Sequence, residues 1–281
     1  MAVGCALPAR AQPPLAQPAA PTQPLEPDRP DVTNGTHIVD VGLLQMEVGV
    51  QQLRFGPRVS SFNTPTTFRV GLTEWIEVRA GTDGFVATTD PIAGNASGAG
   101  NVQLGAKIRL WADPGGIPVL SILPAINLPT ASSAKGLGSG QSDLTLALLT
   151  GTDFLTRGHV DVNYGFGMIG SGPGLHRFSQ HLASASASVE IPGPVTPYFE
   201  YFWISRQDPR GVNVSAMDAG AIYVITPRFA LDGGAQWGLS DAAPASLFAG
   251  VSVILGNILG DHGVHARQRQ ALKRSVGRPH K

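Results

Sequence analysis

The sequence predicts an all-β fold, a closed antiparallel up-and-down transmembrane β-barrel of about 12 strands. Three observations predict it. Threonine-bearing tight turns recur along the chain, at Leu72-Thr73-Glu74-Trp75, Leu155-Thr156-Arg157, Val195-Thr196-Pro197 and Ile225-Thr226-Pro227-Arg228. On either side of each turn every second residue is apolar, the period of a strand with two unlike faces. The links at the other ends of these strands are long and rich in Gly, Ser, Asn and Pro, and short turns at one end with long loops at the other are the layout of outer-membrane barrels.

Residues 1–11 read as the remnant of a secretory signal peptide, because Ala9-Arg10-Ala11 fits a small-x-small cleavage site. Val3-Gly4-Cys5 also resembles part of a lipobox, with Cys5 as the acylated residue. Residues 12–37 form a flexible Pro/Ala-rich lead. The barrel occupies 38–255, with strands near 38–53, 66–73, 75–82, 101–111, 118–128, 142–150, 158–168, 181–190, 197–205, 215–225, 228–237 and 246–255. With both ends in the periplasm, the external links are 54–65, 83–100, 129–141, 169–180, 206–214 and 238–245, and an even strand number returns the chain to its starting side. The uncharged run from Ala242 to Gly260 is no spanning helix, since Pro244, Gly250, Gly256 and Asn257 break it and its apolar residues alternate. Residues 256–281 are a basic tail carrying Arg267, Arg269, Lys273, Arg274, Arg278 and Lys281 against Asp261. The tail reads as a disordered extension or as a segment that meets anionic headgroups.

Composition narrows the class further. Charged residues are 14% of the chain, against about 25% in ordinary soluble domains. Gly (35) and Pro (23) are abundant, which argues against a helical enzyme. Cys5 is the only cysteine, so neither a disulfide framework nor a thiolate metal site is available.

Within the strands, Val102, Leu104, Ala106, Ile108 and Leu110 share one face while Gln103, Gly105, Lys107 and Arg109 share the other. In a lipid-embedded barrel the apolar face looks outward and the polar face lines the lumen. The lumen-lining residues, and so the candidate solute path, are then Arg69, Glu77, Arg79, Lys107 and Arg109 on one wall. Asp143, His159, Asp161, Glu200, Asp218 and Asp232 lie on the facing wall. One wall is largely cationic and the other anionic. Buried charge is costly unless paired, so either the walls meet as salt bridges and plug the bore or water fills it.

No catalytic constellation accompanies these charges. His159 and Asp161 share a strand face but lack a Gly-x-Ser-x-Gly elbow, and they read as lumen polar residues. His176 and His181 make a poor metal site without further ligands. Gly136-Leu137-Gly138-Ser139-Gly140 lacks the lysine and following helix of a phosphate cradle. Neither enzymatic activity nor a cofactor or metal is expected.

Several segments resemble a known family in the expected order. Asp28-Arg29-Pro30-Asp31 resembles its opening motif, followed by Phe68-Arg69-Val70-Gly71-Leu72-Thr73-Glu74, Val102 to Leu110, Ile126-Asn127-Leu128-Pro129-Thr130, Pro197-Tyr198-Phe199-Glu200, and Asp218-Ala219-Gly220 with Ile225-Thr226-Pro227. The family comprises bacterial proteins labelled by a meta-pathway of phenol degradation or simply as transporters. The resemblance spans about residues 28–255 and implies an outer-membrane barrel, proposed in some members to admit aromatic hydrocarbons. It supplies no established binding residues. This chain departs from the usual barrel ending in an aromatic residue, because it continues to Lys281.

The function expected is passive uptake of small, apolar or aromatic solutes across the bacterial outer membrane. The alternative is a structural barrel plugged by its own salt bridges, acting as an adhesin or envelope scaffold through its external loops. The partners expected are outer-membrane lipid, the outer-membrane assembly machinery and a small solute, with no nucleic acid.

Overall fold

The computed structural model describes residues 25–30, 32–112 and 118–259. The expected signal remnant, most of the Pro/Ala-rich lead and nearly all of the basic tail lie outside these residues.

Fifteen strands run in chain order. They are β1 (Leu43–Phe55), β2 (Val59–Asn63), β3 (Thr66–Gly71), β4 (Ile76–Thr82) and β5 (Phe85–Thr89), then β6 (Ala96–Ala99), β7 (Val102–Trp111), β8 (Val119–Leu128), β9 (Asp143–Phe154) and β10 (Gly158–Ile169). The last five are β11 (Phe178–Val189), β12 (Val195–Ile204), β13 (Val214–Thr226), β14 (Phe229–Gly238) and β15 (Ala245–Asn257). β1, β3, β4 and β7 to β15 form an antiparallel ring, closed where β15 returns to β1 from Leu43↔Asn257 to Arg54↔Ala245. The chain is therefore a closed 12-strand antiparallel barrel. Among the described residues no helix is long and apolar enough to cross a membrane.

Two expectations about element ends need correction. The first strand starts at Leu43 rather than at residue 38, because residues 38–42 still run along the inside of the barrel base, where Val41 bridges Gly71. The links expected at 54–65 and 83–100 are largely strand. β2, β5 and β6 pair with one another and with the upper half of β1, raising a tall wall above the ring. β4 and β5 are separated by Asp83 and Gly84, where Gly84 takes φ +68° and a Cβ would strike the Thr64 carbonyl.

The pleat sorts side chains as the alternation predicts. On β7, Leu104 is 44% exposed on the outside while Lys107 is 0% exposed inside. The outer surface also carries Leu144, Leu146, Leu148, Val162, Tyr164, Phe199, Tyr201 and Leu247, all exposed. An apolar exterior of this kind is stable only in hydrocarbon, and a closed ring leaves no unpaired strand edge within it.

The interior is not empty. Leu25 packs with Val39, Leu43, Ala230 and Ile254 at the short-turn end, while Val32 packs against the group of Phe202, Val214 and Ala216 towards the long-loop end. His37 Nδ1 lies 3.2 Å from Glu26 Oε2. The chain thus climbs into the barrel from the short-turn end, reverses near Val32–Asn34, and descends alongside itself into β1. For the described part of residues 12–37, this inserted hairpin replaces the flexible lead expected from composition.

Candidate functional site

The hairpin is held by two clusters, one on each wall. The first is built by alternation on adjacent strands, where Glu47 on β1, Arg69 on β3, Glu77 and Arg79 on β4, and Lys107 on β7 all point inward. Arg69 makes a fork with Glu77, Nε to Oε1 at 2.8 Å and Nη2 to Oε2 at 3.0 Å, and its Nη1 donates to Glu47 Oε1 at 2.8 Å. Asp28 of the hairpin then meets Lys107 Nζ at 2.7 Å, Arg79 Nη1 at 3.0 Å and Arg69 Nη2 at 3.5 Å. Arg69, Arg79 and Lys107 face the three carboxylates of Asp28, Glu47 and Glu77, so the hairpin supplies the charge that balances the wall. Arg69, Lys107 and Glu77 are 0% exposed, and burial of this depth is tolerable only because every charge has a partner.

The same wall grips the hairpin backbone. Lys107 Nζ donates to the carbonyls of Gly35 at 2.7 Å and His37 at 3.1 Å, and Glu77 Oε2 accepts the Val39 N–H at 3.0 Å. Arg79 Nη1 donates to Asn34 Oδ1 at 2.9 Å. Arg109 donates to the carbonyls of Thr36 at 3.3 Å and Glu74 at 3.5 Å. Burial alone would raise the Asp28 carboxyl, but Arg69, Lys107 and Arg79 outweigh it and hold Asp28 well below the usual carboxylate range. Burial pushes the His37 imidazole below its ordinary value.

On the facing wall Glu200 of β12 accepts the Val32 N–H at 2.8 Å and the Thr33 N–H at 2.5 Å, and also bonds the Thr33 hydroxyl. Asp218 of β13 lies directly opposite Glu200 in the register and is equally buried. Asp232 of β14 pairs with Arg29 of the hairpin at 3.4 Å. Gly49 and Gly250 make room for that guanidinium, since a Cβ on either would collide with it.

The expected lumen residues therefore fall into three groups. Arg69, Glu77, Arg79, Lys107, Arg109, Glu200 and Asp232 touch the hairpin, and Asp218 stands beside Glu200. Asp161 is half-buried and accepts from His159 Nε2 at 3.2 Å, while His159 Nδ1 lies 2.7 Å from Asp153 at the short-turn end. Asp143 is at the opposite rim, where it accepts the Gly170 N–H at 2.8 Å and an Asn127 N–H at 3.1 Å. The sequence reading offered two states for the charged walls, direct pairing across the bore or a water-filled gap. The hairpin supplies a third, with Asp28 bound to the cationic wall, the Val32 and Thr33 N–H groups bound to Glu200 on the facing one, and Arg29 bound to Asp232 beside the β15–β1 closure. Of the opening motif, Asp28, Arg29 and Pro30 are in place, and Asp31 lies outside the described residues.

Two features escaped the sequence reading. Glu47, with Gln45 beside it, belongs to the cationic wall, and its position between the outward Met46 and Val48 was the available signal. The second is an apolar lane between the walls. By register with Arg109 and Gly105, Ser121 and Ala125 of β8 point inward and Leu123 between them does so by alternation, and the residues of β9 opposite them are Leu149, Ala147 and Thr145. The lumen face of a membrane barrel is ordinarily polar. Here two neighbouring strands present Leu123, Ala125, Ala147 and Leu149 to it.

A closed barrel with an apolar exterior, a charged interior and an inserted N-terminal hairpin is an outer-membrane β-barrel. A family model described as "Putative MetA-pathway of phenol degradation" matches residues 27–254, and the chain belongs to that family. No curated protein matches. Among solved structures, an outer membrane channel from Pseudomonas putida F1 is similar at TM-score 0.59 with 14% identity, covering 78% of this chain and 98% of that one. The NanC porin is similar at TM-score 0.51 with 12% identity, covering 75% of this chain and all of the other. At such identities these likenesses speak for the fold.

Proposed function

We propose that this barrel admits small apolar or aromatic solutes passively across the outer membrane. The observation that carries the reading is the contrast inside the bore. Its charged walls are already matched by the hairpin through Asp28, Arg29 and the Val32 and Thr33 N–H groups. Its β8–β9 face offers Leu123, Ala125 and Ala147, each partly exposed. A hydrophilic solute entering this space would have to displace charge-assisted hydrogen bonds, whereas an apolar solute on the lane would displace only water. The family's description by a phenol-degradation pathway agrees with such a solute. No chemical step is part of this reading, and His159 with Asp153 and Asp161 is taken as a rim network.

The test is initial-rate uptake of radiolabelled toluene by porin-deficient cells with and without the protein. Faster uptake with the protein supports the reading, and equal rates reject it. One observation favours a scaffold instead. The tall wall and the Ala134–Gly136 loop border an open cleft of about 740 Å³ at the long-loop end, lined by Phe55, Val59, Ser61, Thr88 and Ala96 among others. Equal uptake together with adhesion that is lost on trimming β5 and β6 would establish that alternative.

A further inference from the structure

We propose that the seam between β7 and β8 at Pro124 is a lateral portal through which an apolar solute leaves the lumen for the bilayer core. The inference rests on the uptake reading above and specifies its route. Proline has no N–H and is ordinarily excluded from strands paired on both sides, because it removes a ladder hydrogen bond. Pro124 nevertheless lies within β8, which pairs with β9 continuously through Pro124↔Leu146. On the β7 side the pairing runs from Val102↔Leu128 to Gly105↔Ala125, skips Ala106 and Lys107, and resumes at Ile108↔Ile122. A further irregularity follows between Arg109 and Trp111. The ladder is thus interrupted on one side of the proline and intact on the other.

The residues around the interruption suit the passage of an apolar molecule. By the pleat, Ala106 and Pro124 face outward, with Leu104, Ile122 and Ile108 beside them, so the outer side of the seam is small and wholly apolar. Inside, Leu123 and Ala125 flank the same point and continue the apolar lane of β8 and β9. The polar group at the seam is Lys107, which is turned away into its contacts with Asp28 and the Gly35 and His37 carbonyls. The hairpin therefore holds back the one charge that would obstruct the route, while the proline weakens the wall where the lane meets it. An exit at mid-barrel delivers the solute to hydrocarbon without carrying it through the charged cluster towards the short-turn end.

Two variants test the portal in porin-deficient cells. The pair Ala106→Cys/Pro124→Cys can be closed by oxidation and reopened with dithiothreitol, with closure read on a gel. Pro124→Val independently restores the missing N–H. Toluene uptake should fall to the level of cells lacking the protein in the oxidised pair and recover on reduction. It should fall several-fold in Pro124→Val. Ion conductance of the purified barrel in planar bilayers should stay unchanged in both variants. Wild-type uptake in both variants overturns the portal. Conductance falling in parallel with uptake overturns it too, since the substitutions would then be narrowing the axial bore. If the wild-type protein takes up no more toluene than empty cells, it is the uptake reading that fails.

Discussion

Asp28 and Lys107, 79 positions apart in the chain, meet at 2.7 Å inside the barrel with both side chains buried. This pair fixes the N-terminal hairpin to the cationic wall, as Glu200 fixes Val32 and Thr33 on the facing wall and Asp232 fixes Arg29 near the β15–β1 closure. The lumen charges that alternation places on facing walls are therefore bridged by a third element.

Arg69 should be the most costly single loss. Arg69→Met leaves Glu47 and Glu77 buried without their guanidinium, and breaking a buried pair on one side costs about 3–5 kcal/mol. Arg109→Ala should cost only about 1–2 kcal/mol, because Arg109 donates to the carbonyls of Thr36 and Glu74. Urea unfolding in detergent, followed by tryptophan fluorescence, gives both numbers. Equal losses would mean that Arg109 meets a carboxylate of the far wall.

Much of this was legible in the sequence, and the reason differs by element. The period of 2 is set by the pleat, so β7 and β10 to β15 were placed within a few residues. The same period turns Lys107, Glu200 and Asp232 away from the apolar face. β2, β5 and β6 read as loop in the sequence because they are short and have no sustained apolar alternation to reveal them. The hairpin reads as a flexible lead because its polar groups are satisfied by residues far along the chain, a tertiary fact that local composition does not record. Leu25, Val32, Ile38 and Val39, apolar residues scattered through an otherwise polar stretch, were the local trace of its burial.

Gly49→Ala should leave the barrel folded but unseat Arg29. The added methyl meets the flexible end of that side chain, so the guanidinium can move while the strand stays in place. Gly71→Ala is different, because its methyl meets the Val39 and Asp40 carbonyls at the hairpin base. The expected outcome is normal heat-modifiable gel migration for Gly49→Ala and reduced folding yield for Gly71→Ala. Equal yields would show that the hairpin base is free to shift.

Asp28 gives the hairpin one acid-range step in its pH response. Its carboxyl titrates below the ordinary range in the folded protein, so its contribution is fully present above the ordinary value. The contribution is lost as pH falls through the depressed value. The step in bilayer current due to Asp28 should therefore come only in acid stronger than about pH 4. In Asp28→Asn that acid-induced step should be absent. A rise already near pH 6 would point to a different titrating group.

The two ends of the barrel should differ in access. Gly94, with φ +89° and open space around it, is at the tip of the tall wall, whereas Thr226 is in a short turn at the other end. In intact cells Gly94→Cys should react with an impermeant maleimide and Thr226→Cys should not. Labelling of Thr226→Cys alone would mean that the barrel is inverted.

The most direct test of the clamped lumen is unitary conductance in planar bilayers, comparing wild type with Asp28→Ala/Arg29→Ala. Small steps are expected for wild type, with steps several-fold larger or frequent large openings for the double variant once both anchors are gone. Large, identical steps from the two proteins would contradict the account, because the hairpin would then not be what fills the bore.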